Sequence, residues 1–175
     1  MSDYYSWGHI ACSAVSSAAC PVSWGNFGYG GETHATIYSN AVNYVNNFTP
    51  DVLIFPVFSP NDGACTQAIL DAAWQRVTAL ALLCASKNVH FVVTSPVPFV
   101  GNPSDSYAQQ MISRIKASGY SYLDFYSTLN NSSSPGNELS SYNSGDGHPT
   151  DAGYTAMAGL LQVLLVQLVA RRPIL

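Results

Sequence analysis

Two apolar runs separated by one long amphipathic segment constrain this chain more than anything else in it. Val52 to Phe58 reads Val-Leu-Ile-Phe-Pro-Val-Phe, and Val89 to Thr94 is a second run of the same kind. Unbroken apolar runs of this length suit strands buried on both faces of a parallel sheet. Between them, Ala64 to Lys87 carries Ile69, Ala73, Val77, Leu80 and Cys84 on one stripe at helical spacing. Strand, helix, strand is a crossover unit, and such crossovers are right-handed. Pro56 fits the first strand poorly, because proline removes a ladder donor.

The pattern continues on both sides. Thr33 to Phe48 has Ile37, Ala41, Tyr44 and Val45 at helical spacing, ended by Pro50. Asp105 to Ser118 reads as a helix capped by Ser104 or Asp105 and stopped by Gly119. Tyr122 to Phe125 reads as a third strand. Residues 127 to 147 are rich in Ser, Asn and Gly and read as irregular. Thr150 or Asp151 caps a last helix running to about Ala170. Ala11 to Ala19 reads as the end of a small-residue helix, and Val22 to Phe27 as a short strand. No internal repeat or linker divides residues 1–175, so a single domain is expected. Its class is α/β, with a central parallel sheet between helical layers in a three-layer α/β/α sandwich.

Composition removes several functions. Charged residues are 9% of the chain, against about 25% in ordinary domains. Six Lys and Arg against ten Asp and Glu leave a net charge of −4, so no basic face for nucleic acid is expected. Hydrophobic residues at 47% and aromatic residues at 12% are the reverse of a disordered composition. The longest apolar run, Ala158 to Ala170, is broken by Gln162 and Gln167. It is shorter than the ~20 residues of a membrane span. Ser, Asn, Thr, Gln and Tyr must cover the surface, a composition that suits secreted, cell-surface or virion-borne proteins acting on glycans. The first residues have no basic segment leading an apolar one, so no signal peptide is read there. Cys12, Cys20, Cys65 and Cys84 include no CxxC pair, which disfavours a zinc ribbon or a thioredoxin motif. Cys65 and Cys84 lie too far apart along one helix to bridge, and buried thiols are the expectation for both.

In an open parallel sheet the chemistry lies beyond the carboxyl ends of the strands. The loops there carry Asn26-Phe27-Gly28-Tyr29-Gly30-Gly31-Glu32-Thr33, then Ser59-Pro60-Asn61-Asp62-Gly63, and Asp146-Gly147-His148-Pro149-Thr150 ahead of the last helix. A glycine N–H and an asparagine amide at one edge can share an oxyanion. A histidine with a carboxylate two residues away can act as a general base whose tautomer that carboxylate fixes.

With these blocks in this order, the sequence resembles the SGNH (GDSL-like) hydrolases over about residues 5 to 170. Asn26, Gly28, Gly31 and Thr33 match the second block of that family. Pro50, Asp51, Asn61 and Asp62 match the third, and His148, Pro149, Gly153 and Tyr154 the fifth. The resemblance implies a flavodoxin-like α/β/α fold and hydrolysis of esters, often acetyl groups on sugars, without metal or organic cofactor. It makes Gly31 N–H and the Asn61 side chain two parts of an oxyanion hole, His148 the general base and Asp146 its orienting acid. Three features depart from the pattern. No Gly-Asp-Ser block is present, so the nucleophile is unassigned and the domain is expected to be N-terminally truncated, without its first strand. Ser59 stands where the family has glycine. Asp146 precedes His148 by two residues rather than three.

The expectation is a serine esterase scaffold for carbohydrate O-acetyl groups, small esters or lipids, inactive if no nucleophile is present. Missing one strand, such a sheet would also offer edges for association. The alternative is a glycan-binding or accessory domain of a phage tail or cell-surface protein, with Tyr29, Phe99, Tyr142 and Tyr154 lining the cleft. His9 and His34 read as helix-face residues, and Asp124 as the cap of the turn after the third strand.

Overall fold

The computed structural model describes residues 6–18, 20–26, 30–98, 103–145 and 148–170. Their elements, in order, are α1 (Trp7–Val15), α2 (His34–Phe48), β1 (Val52–Pro56), a 3-10 turn (Pro60–Asp62), α3 (Gln67–Ser86), β2 (His90–Thr94), α4 (Asp105–Ser118), β3 (Ser121–Leu123), α5 (Phe125–Leu129) and α6 (Asp151–Ala170). They fall into two compact units. One draws on Phe27–Glu138 and holds the sheet; the other draws on Met1–Asn26 and Leu139–Leu175.

In the sheet unit the strands run in parallel in the order β1-β2-β3. Val52 lies opposite His90 and Pro56 opposite Thr94; Val92 lies opposite Ser121 and Thr94 opposite Leu123. Phe55, Val57, Leu70, Val77, Leu80, Cys84, Val93, Met111 and Ile115 form the buried core with their neighbours. Ala73, Val77, Leu80 and Cys84 of the stripe expected on α3 are buried; its first member, Ile69, is only partly buried, and Leu70 is inside instead. Pro56 is the last residue of an outer strand, where the missing donor costs least.

Charged caps are rare, as the composition requires, and hydroxyls do most of the capping. Thr33 accepts from Thr36 N at 3.3 Å to open α2, and Thr66 accepts from Ile69 N at 3.3 Å to open α3. Gly119, at φ +73°, ends α4 in the left-handed conformation that glycine adopts without strain.

The third strand is shorter than expected, and Asp124 is the reason. Its carboxylate accepts from Ser127 N at 3.0 Å and from Ser127 Oγ at 2.9 Å. That bonding starts α5, which takes Phe125 out of the expected strand. The following loop is also less irregular than its composition suggests. A bridge joins Asn130 to Glu138, and Asn130 Oδ1 accepts from Gly136 N at 2.9 Å.

In the other unit, α1 packs against α6. The strand expected over Val22 to Phe27 does not form over its described part, 22–26. The N–H of Val22 donates to Ser16 Oγ at 3.0 Å, and Trp24 packs against Trp7 with ring centroids 5.2 Å apart and planes inclined by 60°. Side-chain bonding and ring packing thus take the place of a ladder. Gly8 is needed there, because a Cβ at that position would overlap the Trp24 ring. Both α3 and α6 are 20 residues long and apolar enough, by length and composition alone, to cross a bilayer. α3 is the core helix of the sheet unit, and α6 buries Gly153, Met157, Ala158, Leu161 and Leu165. The four cysteines are free thiols, with Cys12 and Cys84 buried. Cys65 lies just before α3 rather than on it.

Candidate functional site

Beyond the carboxyl end of β1 the chain turns through Ser59 into the 3-10 turn that carries Asn61. Ser59 Oγ accepts from Asn61 N at 3.3 Å, which caps the turn. The same hydroxyl donates to the Glu32 carbonyl at 2.7 Å. Asn61 Nδ2 donates to that carbonyl as well, at 3.1 Å. Two donors from the 59–61 loop therefore converge on one oxygen, in the residue that follows Gly31. One Nδ2 hydrogen is used in this way, and an amide carries two. The second is available to a ligand oxygen. Gly31 is exposed and sits at φ +82°, with nothing near the place a Cβ would occupy. Its glycine serves backbone conformation rather than crowding.

Just beyond, the same two segments are joined again. His34 N donates to Asp62 Oδ1 at 3.1 Å at the start of α2. The His34 ring is fully buried. Because a carbonyl can only accept, Nε2 carries the proton and donates to Pro56 O at 3.0 Å. Nδ1 is then the free lone pair, and Arg76 Nη1 lies 3.5 Å from it. Burial, and secondarily the Arg76 charge, push the imidazole below its ordinary value, while the Pro56 bond and Asp62 act the other way. The ring is thus held neutral by one donor and one acceptor, and its edge meets Phe55.

At the ends of β2 and β3, buried Ser95 accepts from Tyr126 N at 2.8 Å and donates to Asp124 Oδ1 at 3.3 Å. Tyr126 hydroxyl donates to Asp105 Oδ1 at 2.7 Å; burial, then this carboxylate, push its pKa up. These bonds fasten the loop after β2 to α5.

His148 belongs to the other unit and is exposed. Its carbonyl accepts from Ser144 N at 3.0 Å and from Ser144 Oγ at 2.8 Å. Asn143 bridges to Pro149, and Thr150 N donates to Tyr142 O at 2.7 Å. Thr150 Oγ1 then accepts from Gly153 N at 3.2 Å, so Thr150 caps α6. Gly153 permits this closure, since a Cβ there would lie 2.9 Å from the Pro149 side chain. The Gly-Tyr pair of the sequence pattern is therefore the place where α6 meets the histidine turn. Asp146, Gly28, Tyr29 and Phe99 lie outside the described residues.

Solved structures of similar architecture share this arrangement of strands and helices. A lipolytic protein assigned to the G-D-S-L family, from Desulfitobacterium hafniense, superposes with a TM-score of 0.74 at 20% identity, covering 92% of this chain and 89% of that one. A Bacteroides fragilis protein described as an acylhydrolase gives 0.67 at 19% identity, over 80% and 73%. A carbohydrate esterase of family 3 from Talaromyces cellulolyticus gives 0.58 at 18% identity, over 90% and 79%. The chain has the SGNH hydrolase fold. No protein-family model and no curated protein matches the sequence.

On this SGNH fold the structure brings Gly31 and Asn61 to neighbouring segments of the sheet unit, joined through Glu32. His148 stands in the turn before α6, in the other unit. Among the described residues no group of three or more His, Cys, Asp or Glu side chains is placed to hold a metal ion. Two contributors were not visible in the sequence. Ser59 is a hydrogen-bonding hub rather than a plain replacement for glycine, and His34 lies on a helix face as expected but on the buried face of α2, held between Pro56 and Arg76. Both depend on partners at least 22 residues away, and no local pattern announces such a pairing.

Proposed function

We propose that this chain is a serine ester hydrolase scaffold whose substrates are acylated carbohydrates or other small esters. The carrying observation is the tie from Asn61 Nδ2 and Ser59 Oγ to the Glu32 carbonyl. It holds the Asn61 amide beside the Gly31 segment at the carboxyl edge of a parallel sheet. Gly31 N–H and the second Asn61 amide hydrogen are the oxyanion donors. Such donors stabilise the tetrahedral intermediate because they are already oriented when charge develops. His148 takes the proton of the attacking serine hydroxyl and returns it to the leaving alcohol, with Asp146 fixing its tautomer. Water then releases the acid by the same route. The esterases among the similar structures support the ester chemistry, and the family 3 carbohydrate esterase supports a sugar as the alcohol half. The serine itself is unassigned in these residues.

Hydrolysis of p-nitrophenyl acetate by the chain and by its His148→Ala variant tests this reading. A rate at least 100-fold above the variant's is expected of a complete triad, since triad members act as a unit. Equal rates would sink the catalytic reading. They would leave a cleft that holds an acylated glycan without turning it over, a second reading favoured by the lack of a Gly-Asp-Ser block.

A further inference from the structure

Away from that edge, an open groove of about 370 Å³ runs between α3 and α4 and is lined by Trp74, Thr78, Arg114, Ala117, Ser118 and Tyr120. It exists because small residues sit between large ones. Thr78, Ala117 and Ser118 leave room, while Trp74 and Tyr120 stand with ring centroids 6.3 Å apart and planes inclined by 36°. It is an open depression rather than an enclosed cavity.

We propose that this groove is a second carbohydrate-binding site, taking a neutral pyranose ring of a glycan chain. Three observations select that ligand. Trp74 and Tyr120 pack on the core, and Tyr120 meets Phe91 edge-on, but both are only partly buried and line the groove, so part of each ring is offered to a ligand with an apolar side. The indole N–H and the Tyr120 hydroxyl make no hydrogen bond among the described residues, so two donors await a partner. Beside them Arg114 Nη2 donates to Asp71 Oδ1 at 2.6 Å, with 30% and 48% of the two side chains exposed. Asp71 Oδ1 also accepts from Gln67 Nε2 at 3.1 Å. Arg114 lines the groove, and its other guanidinium N–H groups remain for a ligand.

Charge decides between ligand classes. Asp71 already neutralises Arg114, so an anion would have to displace a formed ion pair. A neutral hydroxyl, by contrast, accepts from the remaining guanidinium N–H groups without disturbing the pair. The groove hydroxyls do not compete. Thr78 Oγ1 donates to Trp74 O at 3.0 Å, and Ser118 Oγ donates to Ile115 O at 2.6 Å and accepts from Tyr120 N at 3.2 Å. An apolar ring face on an aromatic platform, edged by an internally neutral polar pair, is the chemistry of an uncharged sugar.

The site rests on the carbohydrate reading above only for its biological sense, and its test needs no catalysis. The full chain is run on native gels containing soluble arabinoxylan, hydroxyethyl cellulose or glucomannan, with polygalacturonate as the anionic control. Retardation by at least one neutral polymer is expected. It should weaken at least tenfold in Trp74→Ala and in Ala117→Arg. The second variant fills the groove from an exposed position and so keeps the fold. His148→Ala should be retarded like the parent, and Ala117→Arg should hydrolyse p-nitrophenyl acetate like the parent. Retardation by no neutral polymer, by polygalacturonate alone, or to an equal degree in Ala117→Arg would overturn the proposal. So would its loss in His148→Ala, which would move binding to the esterase cleft.

Discussion

The hydroxyl of Ser59 lies 2.7 Å from the carbonyl oxygen of Glu32, 27 residues earlier in the chain. It is buried, and it accepts the N–H of Asn61 at the same time. One side chain therefore sets both the turn that presents Asn61 and its distance from the Gly31 segment.

Ser59→Gly, which restores the residue of the family pattern, should destabilise this chain rather than improve it. A buried hydrogen bond contributes about 1 kcal/mol, and a buried partner left unsatisfied costs about 1–3 kcal/mol. Chemical denaturation should show a loss of about 1–3 kcal/mol at unchanged m-value. A neutral or stabilising result would mean that the hydroxyl is incidental.

Gly31→Ala should cost about 1 kcal/mol through backbone strain alone, because φ is +82° and no neighbour obstructs the new methyl. Gly30→Ala is the control, since that glycine has open space around it and is not among the positive-φ residues. Thermal melts of the two variants should separate, with Gly31→Ala the lower.

Gly8→Ala should be more damaging. The added methyl meets the Trp24 ring directly. Overpacking of this kind costs about 1–3 kcal/mol. The change should appear as a lower melting temperature together with altered near-ultraviolet dichroism of Trp7 and Trp24. An unaltered spectrum would show that the ring is not fixed against α1.

His34 makes stability depend on pH. Its imidazole has a folded value below the unfolded one, which is near 6.5. Above about pH 6.5 both states are neutral, and the group contributes nothing to the slope. As pH falls below that value the unfolded chain takes up the proton first, so stability drops until the folded value is passed. The charged groups facing the ring are Arg76, which opposes protonation, and Asp62, which favours it. His34→Gln should flatten the fall in unfolding free energy measured between pH 7 and pH 5. A slope unchanged by the substitution would place the titrating group elsewhere.

The sheet was legible because its signals are local. The runs at Val52 and Val89 needed no partner to be recognised, and the α3 stripe from Ala73 onward pointed inward as its spacing required. Ser104, Asp105 and Gly119 bounded α4 to the residue. Errors came where a side chain displaced a backbone partner. Ser16 took the Val22 N–H and removed a strand, and Asp124 took the Ser127 N–H and shortened another. At the candidate site, Gly31 and Asn61 were readable as residues of a pattern. The carbonyl on which their neighbours converge was not, since Glu32 takes part through its backbone and any residue there would offer the same atom.

The two buried thiols add a timing device. Cys12 lies in the helical unit and Cys84 in the core of the sheet unit, where burial pushes its pKa up to about 11. Neither can be alkylated until its own surroundings open, whereas Cys20 and Cys65 are partly exposed. Pulsed alkylation read by mass spectrometry therefore gives each unit a separate clock. Labels that arrive together would report one cooperative opening, and labels that arrive apart would name the unit that lets go first.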